Sequence, residues 1–197
     1  SPVVEDHTQQ EDDAGVPVQI VRASSTVDWT DMATLLRTAM AVSQRSVVIT
    51  TPYFAPDEVT EQLLVDCARR GVDVSLLIPG EHNDQPLPQV AGGPSIERLL
   101  KSGVKVWTYE QTHIHAKIMI VDGVVSLIGS ANLNHRSLGK DEECCAVVLD
   151  EQLAAMLQKD FTADLRHGTA LESAAWERRG FLVRARERLA RLVLEQL

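Results

Sequence analysis

Aromatic residues are scarce in this sequence, because Phe, Trp and Tyr together make up 4% of its 197 residues. Basic residues are also in deficit, and the formal net charge is −9 at pH 7. Proteins dedicated to nucleic acid binding usually present a basic face with stacking aromatic side chains. The composition therefore disfavours nucleic acid as a partner, although a local basic cleft on an acidic protein stays open.

Long apolar runs are absent as well, since none approaches the ~20 residues that a membrane-spanning helix needs. The chain begins with Ser rather than Met, and we therefore expect a fragment of a longer protein. Cysteine is limited to three residues, two of which, Cys144 and Cys145, are adjacent. An odd count with an adjacent pair argues against a disulfide framework and fits a reducing compartment. We expect the adjacent pair to be buried as small apolar residues in a strand.

The pattern of apolar residues predicts an α/β fold. Residues 1–15 are acidic and lack periodicity, which is typical of a linker or a disordered arm, and residues 16–197 are expected to form a single domain. Apolar runs alternate with helical periodicity, so we predict a mixed, largely parallel sheet with helices on both faces. The predicted strands are 16–23, 46–51, 72–78, 104–109, 115–121, 124–128 and 143–149.

One stretch places polar residues at fixed spacing between apolar runs. His115 and Lys117 are two residues apart, so in a strand both side chains point to one face. An imidazole, an ammonium, a hydroxyl and an amide at the ends of neighbouring strands can converge on one oxyanion such as a phosphate. The full pattern is H-x-K-x4-D followed by G-S-x-N, and its residues are His115, Lys117, Asp122, Gly129, Ser130 and Asn132.

This pattern closely resembles the signature of the phospholipase D superfamily. Across residues 17–150 the sequence is also similar to the second catalytic half of bacterial cardiolipin synthases. The segments that carry this similarity are TPYFAPDE at 51–58, ARRGVDVSLLIPG at 68–80, LLKSGVKVWTYE at 99–110 and GSANLNHRS at 129–137. Two departures affect the substrate assignment: Asn134 replaces a usual Asp, and Asp-Glu-Glu at 141–143 replaces a common Asn-x-Glu.

The resemblance implies metal-independent phosphodiester chemistry through a pair of histidines, with no cofactor. Each H-x-K motif contributes half of such a site, and this sequence contains one copy. The partner half is then either a second copy of the chain or a missing N-terminal domain. The resemblance gives His115 the role of general acid and base and places Lys117, Gly129, Ser130 and Asn132 on the phosphate. Glu143 is expected to orient the His115 ring.

Some residues keep two roles open. Asp122 either belongs to the catalytic set or closes the hairpin turn that Asp122-Gly123 predicts. Tyr53 and Phe54 follow a predicted strand and either line a substrate pocket or lie in the core. Asp84, in the predicted polar loop 79–93, and Arg136 are further candidates for substrate contact.

The H-x-H pair of His113 and His115 is a weak zinc candidate, because no further ligand stands at motif spacing. We therefore expect no metal.

Three functions remain open from the sequence. The favoured one is phosphatidyl transfer of the cardiolipin-synthase type, with a phosphatidylglycerol-like phospholipid as substrate. A hydrolase of the same superfamily, either a phospholipase D or a nuclease, is the alternative, and an inactive half-domain of a two-motif enzyme is the third. The expected location is the cytoplasmic side of a membrane, with membrane association in the full-length protein. The arginine-rich segment beginning at Trp176 either lies on a membrane interface or packs on the protein.

Overall fold

The computed structural model describes residues 15–23, 31–80, 84, 86–139 and 141–194. The acidic arm expected at residues 1–15 therefore lies, except for Gly15, outside the described residues. The strands are β1 (Val18–Ala23), β2 (Ser46–Thr50), β3 (Phe54–Ala55), β4 (Asp73–Pro79), β5 (Lys105–Tyr109), β6 (Ile118–Val121), β7 (Val125–Gly129), β8 (Leu133–Asn134), β9 (Glu143–Leu149) and β10 (Gly168–Ala170). The helices are α1 (Asp31–Val42), α2 (Glu58–Arg69), α3 (Pro86–Ala91), α4 (Gly93–Lys101), α5 (His135–Gly139), α6 (Glu151–Asp164), α7 (Ser173–Glu177) and α8 (Phe181–Leu194).

The main sheet is mixed, as predicted. Its described strands follow the order β1-β9-β7-β6-β2-β4-β5-β10, and β3 pairs with β8 in a separate ribbon. The expected predominance of parallel pairing is wrong, because only β2–β4 and β4–β5 of the main sheet are parallel. Parallel neighbours need a crossover connection. Helix α2 lies in the connection from β2 to β4, and helices α3 and α4 lie in the connection from β4 to β5. The other neighbouring strands of the main sheet pair antiparallel.

Helices cover both faces of the sheet, and the alternation of side chains along β2 shows why. Val47 and Ile49 pack in the larger core cluster with residues of α1, α2 and α4. Val48, between them, points to the opposite face and packs with Ala154 and Phe161 of α6. Successive side chains of a strand point to opposite faces, so a strand buried on both sides is apolar throughout.

The two adjacent cysteines are separated by the same alternation. Cys145 is buried, and burial raises the pKa of its thiol to about 11. Cys144 points the other way and is exposed, so the expectation that both are buried is wrong for Cys144. All three cysteines are free.

Several local features differ from the predictions. The loop expected at 79–93 contains α3, and the strand expected from His115 begins at Ile118, so His115 and Lys117 lie in the segment that precedes β6. The amide of Gly129 nevertheless donates to the Lys117 carbonyl at 3.2 Å, which keeps the segment aligned with β7. In the part of the chain that the structure describes, no helix has both the length and the apolar character needed to cross a bilayer.

Candidate active site

An open cleft lies where β2 ends, β6 begins and β7 ends. Thr50 pairs with Ile118 and Ile118 pairs with Ile128, so these three strand ends meet at one edge of the sheet. Antiparallel pairing therefore brings the His115–Lys117 segment beside the residues that follow β7. The cleft has a volume of about 530 Å³ and is lined by His115, Ala116, Lys117, Ile118, Ile128, Gly129, Ser130 and Asn132. Five of the six residues in the sequence pattern are brought together here.

A second histidine, His113, contacts the imidazole of His115. Its Nδ1 lies 3.3 Å from Nε2 of His113, and the ring of Tyr53 stands edge-on to it with the centroids 6.2 Å apart. Asp84 Oδ1 is 3.5 Å from the same His113 nitrogen and accepts a hydrogen bond of 2.8 Å from the Tyr53 hydroxyl. Because Nδ1 of His115 is engaged by His113, Nε2 is the nitrogen left free to react.

Burial is the largest cause that lowers the pKa of both groups of the H-x-K pair. Burial, followed by the charges of Lys117 and His113, lowers the pKa of His115, and Asp84 opposes this change. Burial also lowers the pKa of Lys117, while Glu143 and Asp84 act to raise it. Burial and the Asp84 carboxylate raise the pKa of Tyr53 to about 12, so its hydroxyl remains a donor at neutral pH. The arrangement favours a neutral imidazole beside a cationic amine.

Glu143 is buried, and Ser130 donates its hydroxyl hydrogen bond to the Glu143 carboxylate. The same hydroxyl accepts a hydrogen bond of 3.0 Å from the Cys144 amide. Glu143 was predicted to contact the His115 ring, but no such hydrogen bond occurs among the described residues. The Glu143 carboxylate instead accepts its hydrogen bond from Ser130. Glu143 therefore affects the cleft in two ways: its charge acts to raise the pKa of Lys117, and its hydrogen bond fixes the Ser130 hydroxyl.

Gly129 and Asn132 reach the cleft in ways that their spacing did not predict. A Cβ at Gly129 would lie 2.3 Å from the carbonyl oxygen of Cys144, so the glycine permits close approach of the β9 backbone. Asn132 is 9% exposed and donates from Nδ2 to Ser137 Oγ at 3.2 Å. Its Oδ1 is buried and has no partner in the described part of the chain.

Three predicted site residues lie away from the cleft. Asp122 lies at the far end of β6, where its carboxylate accepts hydrogen bonds from the amides of residues 44–46. Phe54 is 3% exposed and packs in the larger core cluster, so the core alternative for it is confirmed and the pocket is not. Arg136 is exposed on α5 and pairs with Asp141 at 2.8 Å.

His113 contacts the reactive histidine, although the sequence indicated it only as a weak zinc ligand. Its two-residue spacing from His115 was the available signal, because in an extended segment it puts both rings on one side. Among the described residues, no group of three or more His, Cys, Asp or Glu side chains could hold a metal ion.

The fold and the cleft define a class of protein: an α/β domain that presents an imidazole, an ammonium and a Gly-Ser-x-Asn turn at one edge of a mixed sheet. Residues 36–165 match the family described as cardiolipin synthase, PLD-like domain, and the chain belongs to this family. Cardiolipin synthase 1 of Bacillus anthracis is 32% identical over 176 residues, which are 89% of this chain and 34% of that protein.

Solved structures share the fold. Phosphatidylserine synthase of Haemophilus influenzae superposes with a TM-score of 0.76 at 20% identity, covering 94% of this chain and 49% of that one. Nuc of Salmonella typhimurium, a phospholipase D family member, gives a TM-score of 0.68 at 22% identity, covering 80% of this chain and 99% of that one. The chain spans about a third of the length of the curated relatives that it matches.

Proposed function

We propose that this chain supplies one half of a histidine-based site that transfers a phosphatidyl group between alcohols, as in cardiolipin synthesis. The observation that carries the proposal is the shared cleft of His115, Lys117, Gly129, Ser130 and Asn132. Membership of the cardiolipin synthase, PLD-like domain family supports the choice of a phospholipid over other phosphodiesters. The net charge of −9 points the same way, because it disfavours a polyanionic substrate such as DNA.

In the first step, an imidazole nitrogen of a partner half attacks phosphorus. A nitrogen–phosphorus bond forms, the phosphorus–oxygen bond to the leaving glycerol breaks, and His115 gives its proton to the leaving oxygen. In the second step, neutral His115 takes a proton from an incoming hydroxyl, whose oxygen attacks phosphorus and breaks the nitrogen–phosphorus bond. With phosphatidylglycerol as donor and acceptor, the products are cardiolipin and glycerol. Water as the acceptor would give hydrolysis instead.

The lowered pKa of His115 suits the second step, which needs a neutral base at pH 7. Protonation for the first step is aided by the substrate itself, because the negative charge of a bound phosphodiester raises the pKa of a neighbouring imidazole. Lys117 is the cation that stabilises the phosphoryl oxygens, and its Nζ is fixed by a 2.8 Å hydrogen bond to the His115 carbonyl. The His113 contact leaves Nε2 of His115 for the proton transfers.

The second histidine must come from outside the H-x-K motif of this chain, because that motif occurs once in the sequence. The open cleft provides room for a partner half to approach His115. Either a second copy or another part of a longer protein fits this requirement. A monomer that remained fully active would argue against a shared site.

Product analysis tests the proposal. The protein is incubated with phosphatidylglycerol or with plasmid DNA, each with EDTA present, while its mass in solution is measured by light scattering. We expect cardiolipin and glycerol from the lipid, unaffected by EDTA, in an assembly that contains two H-x-K halves. Phosphatidic acid as the product would instead indicate the hydrolase, and cleavage of DNA with the lipid untouched would overturn the proposal. No turnover from a chain that remains a monomer would favour the inactive isolated half-domain, whereas no turnover from a confirmed two-half assembly would overturn the proposal.

A further inference from the structure

Helix α8 carries its apolar residues outward. Phe181 and Leu182 are each 80% exposed, and Leu189 and Leu192 are 64% and 59% exposed. Glu187, in contrast, is 6% exposed on the side that faces the protein. This distribution is the reverse of that expected for a surface helix, whose apolar stripe faces the core.

Ion pairs on the inner face fix this orientation. Arg191 Nη1 lies 3.1 Å from Oε2 of Glu61, a fully buried carboxylate of α2. Glu187 pairs with Arg179, whose guanidinium lies 3.6 Å over the ring of Trp176. Rotating the helix to bury its apolar side would separate the buried Glu187 from Arg179 and would remove Arg191 from Glu61, which would keep only Arg98 as its ion-pair partner. The outward direction of the apolar residues is therefore built into the packing.

The exposed apolar residues form one continuous stripe. At 100° per residue, Phe181, Leu182, Leu189 and Leu192 fall within an arc of roughly 100°. We call these four residues the outer stripe. Arg186 and Arg188 are exposed and flank the stripe on its two sides. Neither makes an ion pair with any residue in the described part of the chain.

The charge around the stripe is opposite to that of the whole protein. Residues 178–192 contain six arginines and one glutamate. Arg179 and Arg191 pair with glutamates on the inner face, whereas the charges of Arg186 and Arg188 beside the stripe are not offset by an ion pair in the described residues. Such a local excess attracts anionic surfaces despite the acidic balance of the protein. A second copy docked on the same stripe would instead bring two rows of arginines together, where like charges repel.

The inner face of the helix also packs against the segment that follows Tyr53. Ala190 of α8 packs in one apolar cluster with Ala55 of β3 and Ala91 of α3. Ala55 is two residues from Tyr53, which contacts the rings of both histidines near the cleft. The side of α8 that carries Ala190 is therefore connected, through Ala55, to the segment that carries Tyr53.

We infer that the outer stripe of α8 binds the surface of a bilayer that contains anionic phospholipid. The four apolar side chains enter the boundary between headgroups and acyl chains, and Arg186 and Arg188 extend sideways to the phosphates. Each arginine near such a surface strengthens binding about fivefold. The inference deepens the proposed function, on which it rests for the choice of lipid, because it brings the cleft to the membrane that holds its substrate.

Vesicle flotation tests the inference without any need for catalysis. We expect the protein to float with vesicles of phosphatidylglycerol and phosphatidylcholine in equal parts, and much less with phosphatidylcholine alone. The double variant Leu182→Glu/Leu189→Glu should lose at least tenfold in binding, and Arg186→Gln/Arg188→Gln about tenfold or more. Met156→Glu is the matched control, because Met156 is 64% exposed on α6 and should tolerate the change without effect. Thermal unfolding of each variant verifies its fold.

Three results would overturn the inference: no flotation of the unchanged protein, equal loss in the Met156→Glu control, or retained binding in the Leu182→Glu/Leu189→Glu variant. A fall in the mass of a dimer in the Leu182→Glu/Leu189→Glu variant, with no vesicle binding by the unchanged protein, would assign the stripe to a second copy. Failure of the proposed function looks different, since it would leave flotation intact while phosphatidylglycerol is not converted.

Discussion

Nε2 of His113 lies 3.3 Å from Nδ1 of His115, and this contact connects the reactive imidazole to Asp84 and Tyr53. One of the two facing nitrogens must donate and the other accept, so the contact restricts the tautomers that His115 can adopt. It also contributes, after burial and Lys117, to the low pKa of His115. His113 is thus a positioning residue for the proposed chemistry.

Replacing His113 with Leu should therefore raise the pKa of His115, because a charge that disfavours its protonated form is removed. The midpoint of the His115 titration, followed by NMR, should move to higher pH, and the limb of the pH–rate profile that His115 governs should follow it. His167→Leu makes the same substitution outside the cleft, at a residue paired with Gln111. An unchanged His115 midpoint in His113→Leu would contradict this role.

Removing the reacting groups should reduce turnover without unfolding the protein. We expect His115→Ala to lower kcat by about 10²–10⁴-fold, the usual contribution of a general acid and base. Lys117→Met should lower kcat by about 10²–10³-fold, because the charge on the phosphoryl oxygens loses a stabilising cation. Lys105→Met is the control for Lys117, because Lys105 pairs with Asp73 on the surface and should tolerate the change. An active His115→Ala variant would remove the catalytic assignment.

Asp122 should affect stability and not turnover. Burial acts to raise its pKa, but the amides of Ser46, Arg45 and Gln44 together with the Arg45 charge outweigh it and lower the pKa. A lowered pKa contributes stability that is present above the unfolded value of about 3.9 and is lost as the pH falls through the folded value.

Asp122→Asn should therefore cost about 1–2 kcal/mol of unfolding free energy at pH 7. Its difference from the unchanged protein should shrink in acid below about pH 4, as urea unfolding at several pH values would reveal. Asn tolerates the φ of +56° that Asp122 adopts, so the substitution adds little backbone strain. A kcat loss comparable with that of His115→Ala would place Asp122 in the catalytic set after all.

Gly129→Ala should damage both stability and activity, because its Cβ would meet the Cys144 carbonyl oxygen and the Cys145 Cα of β9. We expect the unfolding free energy to fall by about 1–3 kcal/mol, the usual cost of overpacking. Turnover should fall as well, since the shift would displace Ser130 and Lys117. Gly180→Ala is the control, because a Cβ there meets nothing within 4 Å. Equal thermal stability of the two variants would refute this account of Gly129.

Much of the framework followed from local patterns. The alternation of apolar runs and helical segments predicted the mixed sheet with helices on both faces, and β9 was predicted with its bounds at Glu143–Leu149. The balance of strand directions was mispredicted, because direction depends on which connections cross the sheet and which return. Small elements such as β3, β8 and β10 depend on pairing with distant partners, which no local pattern encodes.

For the site, the sequence by itself determined the chemistry: the identities and spacing of His115, Lys117, Ser130 and Asn132 place an imidazole, an ammonium, a hydroxyl and an amide where strands end. Only the tertiary structure decided the partners of these groups. In the folded chain Ser130 donates to Glu143, and His113 contacts both His115 and Asp84. Asp122 lies at the far end of β6, where it accepts hydrogen bonds from backbone amides. Spacing specifies which face a side chain points to, whereas hydrogen-bond partners depend on segments that folding brings together from distant positions in the chain.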